Sequence, residues 1–335
     1  MNCYAAAKIS ALHNGINCPC CASPIFVPYL EEDKVAREIQ LRTTFVQERL
    51  DHSPEPTELM DLTEFMHGGP GRLLKCPGCG VVVREEAGAA HYQDDFYDSA
   101  WMAHLYPRYL AAFREKESQY RQLLPARANV LELGSHFGAF LQAAEEWNWR
   151  PIGIDIGAYT SEFARARGFS VQRRSIADVS LRSERSDALF IWNCLEQLER
   201  PADELAAAHR LLKPHGLLVV RVPNLRFYAH WRRKIWSRKH HVAVQRLGYN
   251  NLLGFPYRFG YTGSTLTRLL RQCGFRPIAG HNANLITMPF TTIPRWVRKE
   301  YSAVRRSCVR SPNRENHDLK KMHGPWIEIV ARRVT

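Results

Sequence analysis

At 335 residues, 45% of them apolar and 24% charged, the chain can bury one sizeable core and a smaller second unit, and its composition is that of an ordinary globular protein. No apolar run approaches a membrane span, and the opening MNCYAAAKIS has neither the apolar core nor the small-residue cleavage site of a secretory signal. A cytoplasmic chain without a transmembrane segment is the expectation. The net charge of +13 is uneven: residues 226–260 carry eight Lys/Arg and no Asp/Glu, residues 291–335 carry eleven against four, and the remaining 255 sum to −2. Two basic patches on a nearly neutral body suit an anionic partner, whether a phosphorylated small molecule, a nucleic acid or a membrane surface met peripherally; a solvated basic face would give the same count.

Taken in chain order, the first feature is cysteine. Nine cysteines without a secretory signal argue for metal ligation or burial over a disulfide framework. Cys18-Pro19-Cys20-Cys21 and Cys76-Pro77-Gly78-Cys79-Gly80 are two C-x2-C knuckles, each able to turn two sulfurs toward one ion. The sulfurs of Cys18, Cys21, Cys76 and Cys79 would complete a tetrahedral Zn2+ shell, which has no open position for water and is therefore structural. Cys20 is a spare thiol able to replace a neighbour. Unrelated cytosolic thiols are the alternative; a redox pair is disfavoured because neither knuckle follows a strand and opens a helix. Fifty-four residues separate the knuckles, too many for a compact ribbon, so an insertion must fold out between them. Val35, Ile39, Val46 and Leu50 predict a helix between Glu31 and Leu50, and Thr57 a cap for a second that stops at Gly68-Gly69. This zinc-ribbon-like module is expected over 1–95, with a helical linker over 96–126.

From Asn129 the pattern alternates. Candidate strands are 130–133, 151–155, 170–174, 187–193 and 216–223, with helices over 139–147 and 202–212 between them, which implies a parallel sheet covered on both faces. Ligands of such sheets sit beyond the carboxyl ends of the strands. After the first strand comes Glu132-Leu133-Gly134-Ser135-His136-Phe137-Gly138. A dinucleotide fingerprint needs glycine at the first, third and sixth positions of the turn; here these are Gly134, His136 and Ala139. The second strand ends in Asp155, placed to accept ribose hydroxyls or to cap the next helix. Asp178 follows the third strand. The fourth runs into Asn193-Cys194-Leu195-Glu196-Gln197-Leu198, and Leu212-Lys213-Pro214-His215-Gly216-Leu217-Leu218 opens the fifth.

Together these residues resemble the motifs of class I S-adenosylmethionine (SAM) dependent methyltransferases. The first resembles acidic-x-Gly-x-Gly-x-Gly with His136 in place of the middle glycine, and the fourth resembles V-L-E-H-L-x-D-P with Gln197 in place of histidine. The likeness spans roughly 127–290 and includes Tyr249 to Tyr257 and Gly260-Tyr261-Thr262, similar to a bacterial group that carries an N-terminal cysteine module, as zinc-bearing sugar C-methyltransferases do. It implies an α/β, Rossmann-like sheet of seven strands with the last one antiparallel, over 127–335, the final strands being 275–278 and 326–330 with a helix over 264–273 before them. It also implies cofactor contacts from Glu132, Gly134, Ser135, His136, Gly138, Asp155, Ile156, Asp178 and Asn193.

In several relatives the Glu-His pair of the fourth motif meets the substrate. Glutamine cannot replace imidazole as a base near neutral pH, so either Glu196 acts alone or another group accepts the proton: His230, His241, Tyr249, Tyr257, Tyr261 or His281, with Glu196, His241 and Tyr261 as the catalytic candidates carried forward. Residues 224–262 are expected to form a substrate cap in which Phe227, Tyr228, Trp231, Arg232, Arg233, Lys234, Trp236, Arg238 and Lys239 stack on a ring and bind phosphate, or else an amphipathic helix snorkelling its cations or lying on anionic lipid. Residues 291–323 read as a basic insertion. The expected activity is methyl transfer from SAM to a small anionic acceptor such as a sugar nucleotide. The rival readings are an RNA methyltransferase, since a zinc module also precedes this fold in ribosomal RNA enzymes, and a SAM-binding scaffold in which His136 and Gln197 record lost catalysis.

Overall fold

The alternation of apolar strands and amphipathic helices after Asn129 folds, in the computed structural model, into one seven-stranded sheet. The structure describes residues 17–50, 52–53, 71–85, 99–179, 183–285, 293–308 and 318–334. The strands are β4 (Asn129–Leu133), β5 (Arg150–Asp155), β6 (Val171–Arg173), β7 (Ser186–Trp192), β8 (Leu212–Pro223), β10 (Phe275–Ala283) and β11 (Trp326–Arg333), in the order β10-β11-β8-β7-β4-β5-β6. Strands β8 through β6 run parallel, and β11 is antiparallel to both of its neighbours. This is the Rossmann-like architecture that the motifs implied. The expected strand centres are all present; β8, β10 and β11 are longer than the apolar runs alone suggested, because their ends are paired by register even where charged residues interrupt the pattern.

The order of strands reverses at β4, with β5 and β6 on one side and β7 on the other, so a crevice opens beyond the carboxyl ends of β4 and β7. Helices α2 (Ser99–Arg114) and α3 (Glu117–Tyr120) cover one face with α4 (Ala139–Glu146) and α5 (Ala158–Ala166). On this face Phe113, Phe140, Trp147, Phe190 and Trp192 form a buried aromatic core. The other face buries Leu131, Leu189, Leu218 and Ile329 under α6 (Pro201–Leu211) and α9 (Gly263–Gln272). Pro201 occupies the first turn of α6, and Thr262 with Thr265 forms a reciprocal capping box on α9.

A second sheet holds β1 (Val27–Leu30), β2 (Leu73–Lys75) and β3 (Val82–Arg84), and its fourth strand, β9 (Phe259–Gly260), comes from the far end of the chain. Arg84 fixes that junction: its guanidinium is buried and donates to the carbonyls of Tyr257, Gly254 and Pro256 at 2.7, 2.7 and 2.5 Å. The first predicted helix is α1 (Glu32–Gln47); the second, from Thr57, lies outside the described residues. The cap region carries α7 (Leu225–Arg232) and α8 (His240–Gly248), and the basic insertion carries α10 (Arg295–Cys308). Among the described residues no helix is long and apolar enough to cross a membrane.

Candidate active site and cysteine cluster

The chain must turn from β4 into α4 within five residues, and it does so through three left-handed positions: Gly134 at φ 75°, His136 at φ 48° and Gly138 at φ 83°. Histidine is one of the few side chains enriched there, so the replacement of the middle glycine leaves the turn intact. The two glycines are fixed by space as well as angle. A methyl group on Gly134 would lie 2.8 Å from Cys194 Sγ, and one on Gly138 would lie 3.0 Å from the Phe169 ring. The His136 ring rests on Phe137, with centroids 4.2 Å apart, and faces Tyr109 of α2 at 6.4 Å. Desolvation pushes its pKa down to about 3, so the imidazole is neutral.

Asp155 ties the crevice together. Its carboxylate accepts from the His136 amide at 2.7 Å and from the Gly157 amide at 2.8 Å, so one side chain holds the β4 turn and starts α5. Ile156, 49% exposed, offers an apolar face beside it. Asp178 is exposed on the next loop and accepts from the Ser175 hydroxyl at 2.7 Å. On the crevice floor Glu132 is buried, one of its oxygens has no hydrogen-bond partner, and desolvation holds its carboxyl well above the usual range. Ser135 is buried with its hydroxyl unpartnered. Asn193, at φ 53°, is pinned from both sides: its amide donates to the Arg221 carbonyl at 3.1 Å and its carbonyl accepts from the Gln197 side chain at 2.6 Å. Gln197 is thus a clasp on the turn after β7, a job its amide does directly.

Glu196 is fully buried with neither carboxylate oxygen hydrogen-bonded, and burial pushes its pKa up to about 8. Its backbone carbonyl accepts from the amides of Arg258 and Phe259 at 3.1 and 2.9 Å, which joins the turn after β7 to β9. Tyr261 is buried close by with its hydroxyl unpartnered, and the Glu196 charge contributes to raising it, after burial itself. His241 is not brought to this group: it is exposed on α8, where its ring meets the Gln245 amide at 2.9 Å.

The family model described as a methyltransferase domain matches residues 102–279, more than half of the chain. The chain belongs to that family. It is a SAM-dependent methyltransferase of the class I fold. No curated protein matches the sequence. Among solved structures, it is similar to a SAM-dependent methyltransferase from Thermotoga maritima (19% identity, 69% of this chain and 95% of that one, TM-score 0.45). Others are from Mesorhizobium loti (17%, 65% and 97%, TM-score 0.42) and Archaeoglobus fulgidus (18%, 70% and 100%, TM-score 0.44). The crevice of the methyltransferase offers SAM unpartnered buried acceptors on Glu132 and Asn193 and an exposed aliphatic side chain beside Asp155.

Two further regions flank this crevice. The sulfurs of Cys18, Cys21, Cys76 and Cys79 all lie within 4.8 Å of one another, a set that can hold a metal ion. The edge of a tetrahedral zinc–thiolate shell is about 3.8 Å, given a bond of about 2.3 Å; the Cys18–Cys79 and Cys21–Cys76 pairs stand at 3.3 and 3.4 Å. Hydrogen bonds from Cys18 and Cys20 hold the Cys79 thiol far below the usual thiol range, whereas hydrogen bonding pushes Cys18 up and burial pushes Cys21 up. Gly78 presents its bare Cα to the sulfurs, where a methyl group would be 3.4 Å from Cys21 Sγ. The second region is a cleft of about 660 Å³ between this cluster and α7, with Lys75, Arg226, Arg233, Arg246, His230 and His323 in its walls and no carboxylate. Arg246 stacks on Trp231 at 4.2 Å.

One group escaped the sequence reading. Arg221 and Glu328 face each other in register across β8 and β11, both fully buried. The only signal was a single charge inside each of two apolar runs, LLVVRVP and WIEIVA.

Proposed function

We propose that this methyltransferase transfers the methyl group of SAM to a small anionic acceptor, with a sugar nucleotide as the leading class, as in the zinc-bearing sugar methyltransferases its motifs resemble. The observation that carries this reading is the cation-lined cleft, which begins at Leu225, two residues beyond the end of β8. Its arginines offer bidentate bonds to phosphate and its aromatic side chains a surface for a ring. Glu132, Gly134, Ser135, His136 and Gly138 would surround the methionine part of SAM, Asp155 the ribose and Asp178 the adenine, with Ile156 and Asn193 at the margins. Bound SAM supplies an activated methyl on a sulfonium, so the protein has to align the acceptor, exclude water and accept a proton. Glu196 is the proposed proton acceptor, with Tyr261 beside it; a carboxyl raised to about 8 is a base whose deprotonated fraction, and with it kcat, rises with pH through that value. Zn2+ on Cys18, Cys21, Cys76 and Cys79 would be structural.

The test is S-adenosylhomocysteine release from SAM with purified protein and a panel of nucleotide sugars, sugar phosphates and ribosomal RNA. Turnover on a nucleotide-linked small molecule is expected. Turnover on RNA alone, with affinity falling steeply as salt is added, would replace this reading with the RNA enzyme. Tight SAM binding with no turnover on any class would favour the scaffold.

A further inference from the structure

The cation-lined cleft has two walls of different origin. The methyltransferase domain supplies Arg226 and Arg233, on and just after α7, and Arg246 of α8; the cysteine module supplies Lys75, Cys79 and Gly80. Lys75 stands one residue before the knuckle cysteine Cys76, and backbone pairing fixes it from both sides, opposite Val27 of β1 and Val82 of β3. The knuckle that follows is closed by the Cys76 amide donating to the Val81 carbonyl at 2.9 Å and the Gly80 amide to the Cys76 carbonyl at 2.8 Å. Leu74 and Cys76 are fully buried, so the alternation of the strand turns Lys75 outward. Its stem passes Gly80, where a methyl group would stand 3.8 Å from Lys75 Cε. Strand and knuckle together aim one ammonium group into the cleft.

The charges on both walls are unanswered. Among the described residues the side chains of Lys75, Arg233 and Arg246 make no hydrogen bond or ion pair with an acceptor, and no carboxylate lines the cleft. Cations with a structural task in this chain are treated differently: Arg49, Arg72 and Arg114 each have a carboxylate, and Arg232, the neighbour of Arg233, is bonded to Glu38 at 2.7 Å. Arg246 and Lys234 instead crowd one ring, that of Trp231, at 4.2 and 4.4 Å. Like charges gathered without counter-ions repel one another, and an anionic ligand relieves that repulsion. A single phosphate can satisfy one wall; cations on two facing walls call for charge on two centres. We propose that the cysteine module is one jaw of the acceptor site, with Lys75 holding a diphosphate from its side and Arg233 and Arg246 from the other. The inference rests on the reading of this cleft as the acceptor site and deepens it, by naming the acceptor's anionic group and giving the module a part in choosing it.

Calorimetry on the full-length protein, with pyrophosphate and inorganic phosphate as probes at one ionic strength, tests this. Wild type is expected to bind pyrophosphate about tenfold or more tightly than phosphate, and Lys75→Met to lose about tenfold in pyrophosphate affinity. Metal content, thermal midpoint and S-adenosylhomocysteine Kd should stay as in wild type. Lys299→Met, which removes an exposed charge of α10 outside the cleft, should leave pyrophosphate within roughly twofold. Equal pyrophosphate affinities of wild type and Lys75→Met, equal losses in the two variants, or a wild type that binds pyrophosphate no better than phosphate overturn the proposal. Should Lys75→Met fail to fold, crystals of wild type grown with pyrophosphate decide: one anion within hydrogen-bond distance of both Lys75 and an arginine of the opposite wall supports it, and an anion held by the arginines alone overturns it. The reading of the cleft as the acceptor site fails separately, when Lys75→Met loses pyrophosphate as expected yet no nucleotide-linked compound is turned over by wild type.

Discussion

The cofactor crevice and the cation-lined cleft sit at the same end of β8 but are made of different materials. The crevice is shaped by backbone: Gly134, His136, Gly138 and Asn193 hold positive φ angles, and Asp155 clamps amides. The cleft is shaped by charge, with Lys75 from β2, Arg226 from α7, Arg233 beyond it and Arg246 from α8 converging on one space. A backbone-built site tolerates few residue types at fixed spacing, whereas a charge-built site accepts any cation from any element that reaches it. Under the proposed function the first would serve a cofactor common to a family, and the second would be free to differ with the acceptor. Between them stands the turn after β7, tied by the Glu196 carbonyl to β9 and through β3 to the cysteine cluster.

If the two regions are mechanically linked through that sheet, metal loss should strike hardest. Structural zinc contributes on the order of 10 kcal/mol in isolated zinc-binding peptides. Cys76→Ser with Cys79→Ser, or exhaustive chelation, is expected to lower the thermal midpoint sharply and to remove one metal ion per chain by elemental analysis; an unchanged midpoint and no bound metal would detach the cysteines from the account. Next in size is Gly134→Ala, which combines a left-handed backbone costing about 1–2 kcal/mol with a methyl 2.8 Å from Cys194 Sγ. S-adenosylhomocysteine should bind about ten- to a hundredfold more weakly, and adding Cys194→Ala should recover only the part due to crowding.

The converse change tests the other region. Arg233→Ala with Arg246→Ala should raise the acceptor KM about tenfold or more, as expected when charge-assisted hydrogen bonds are lost, while the S-adenosylhomocysteine Kd stays put. A fall in both affinities together would mean the two sites are one. The pH dependence tests Glu196. Its carboxyl is raised from 4.5 to about 8 in the fold, so the folded state binds the extra proton. Its contribution to stability is complete below about pH 4.5 and is lost as pH rises through 8, at no more than about 1.4 kcal/mol per pH unit. Glu196→Gln should flatten that part of the stability profile in denaturant titrations at pH 5 to 9; an unaltered slope would show that Glu196 ionises normally.

The turn from β4 to α4 was legible, because Gly134 and Gly138 stand where only a bare or strained backbone can turn from strand to helix, and the alternation over 130–223 suits a parallel sheet. Gln197 was harder to read: its departure from histidine looked like a loss, yet its amide bonds the Asn193 carbonyl, a local contact no motif records. The junction of β9 with the cysteine sheet was invisible, since Phe259-Gly260 is too short to show a strand period. Arg221 and Glu328 were hidden for the opposite reason. Each is one charge in a long apolar strand, and only register across β8 and β11 pairs them.

The most direct test of a backbone-built cofactor crevice separate from a charge-built cleft is titration calorimetry of S-adenosylhomocysteine into wild type, Gly134→Ala and the Arg233→Ala/Arg246→Ala double variant. Saturable binding that collapses in the first variant and persists in the second is the predicted result; no binding to wild type, or equal losses in both variants, would contradict the account.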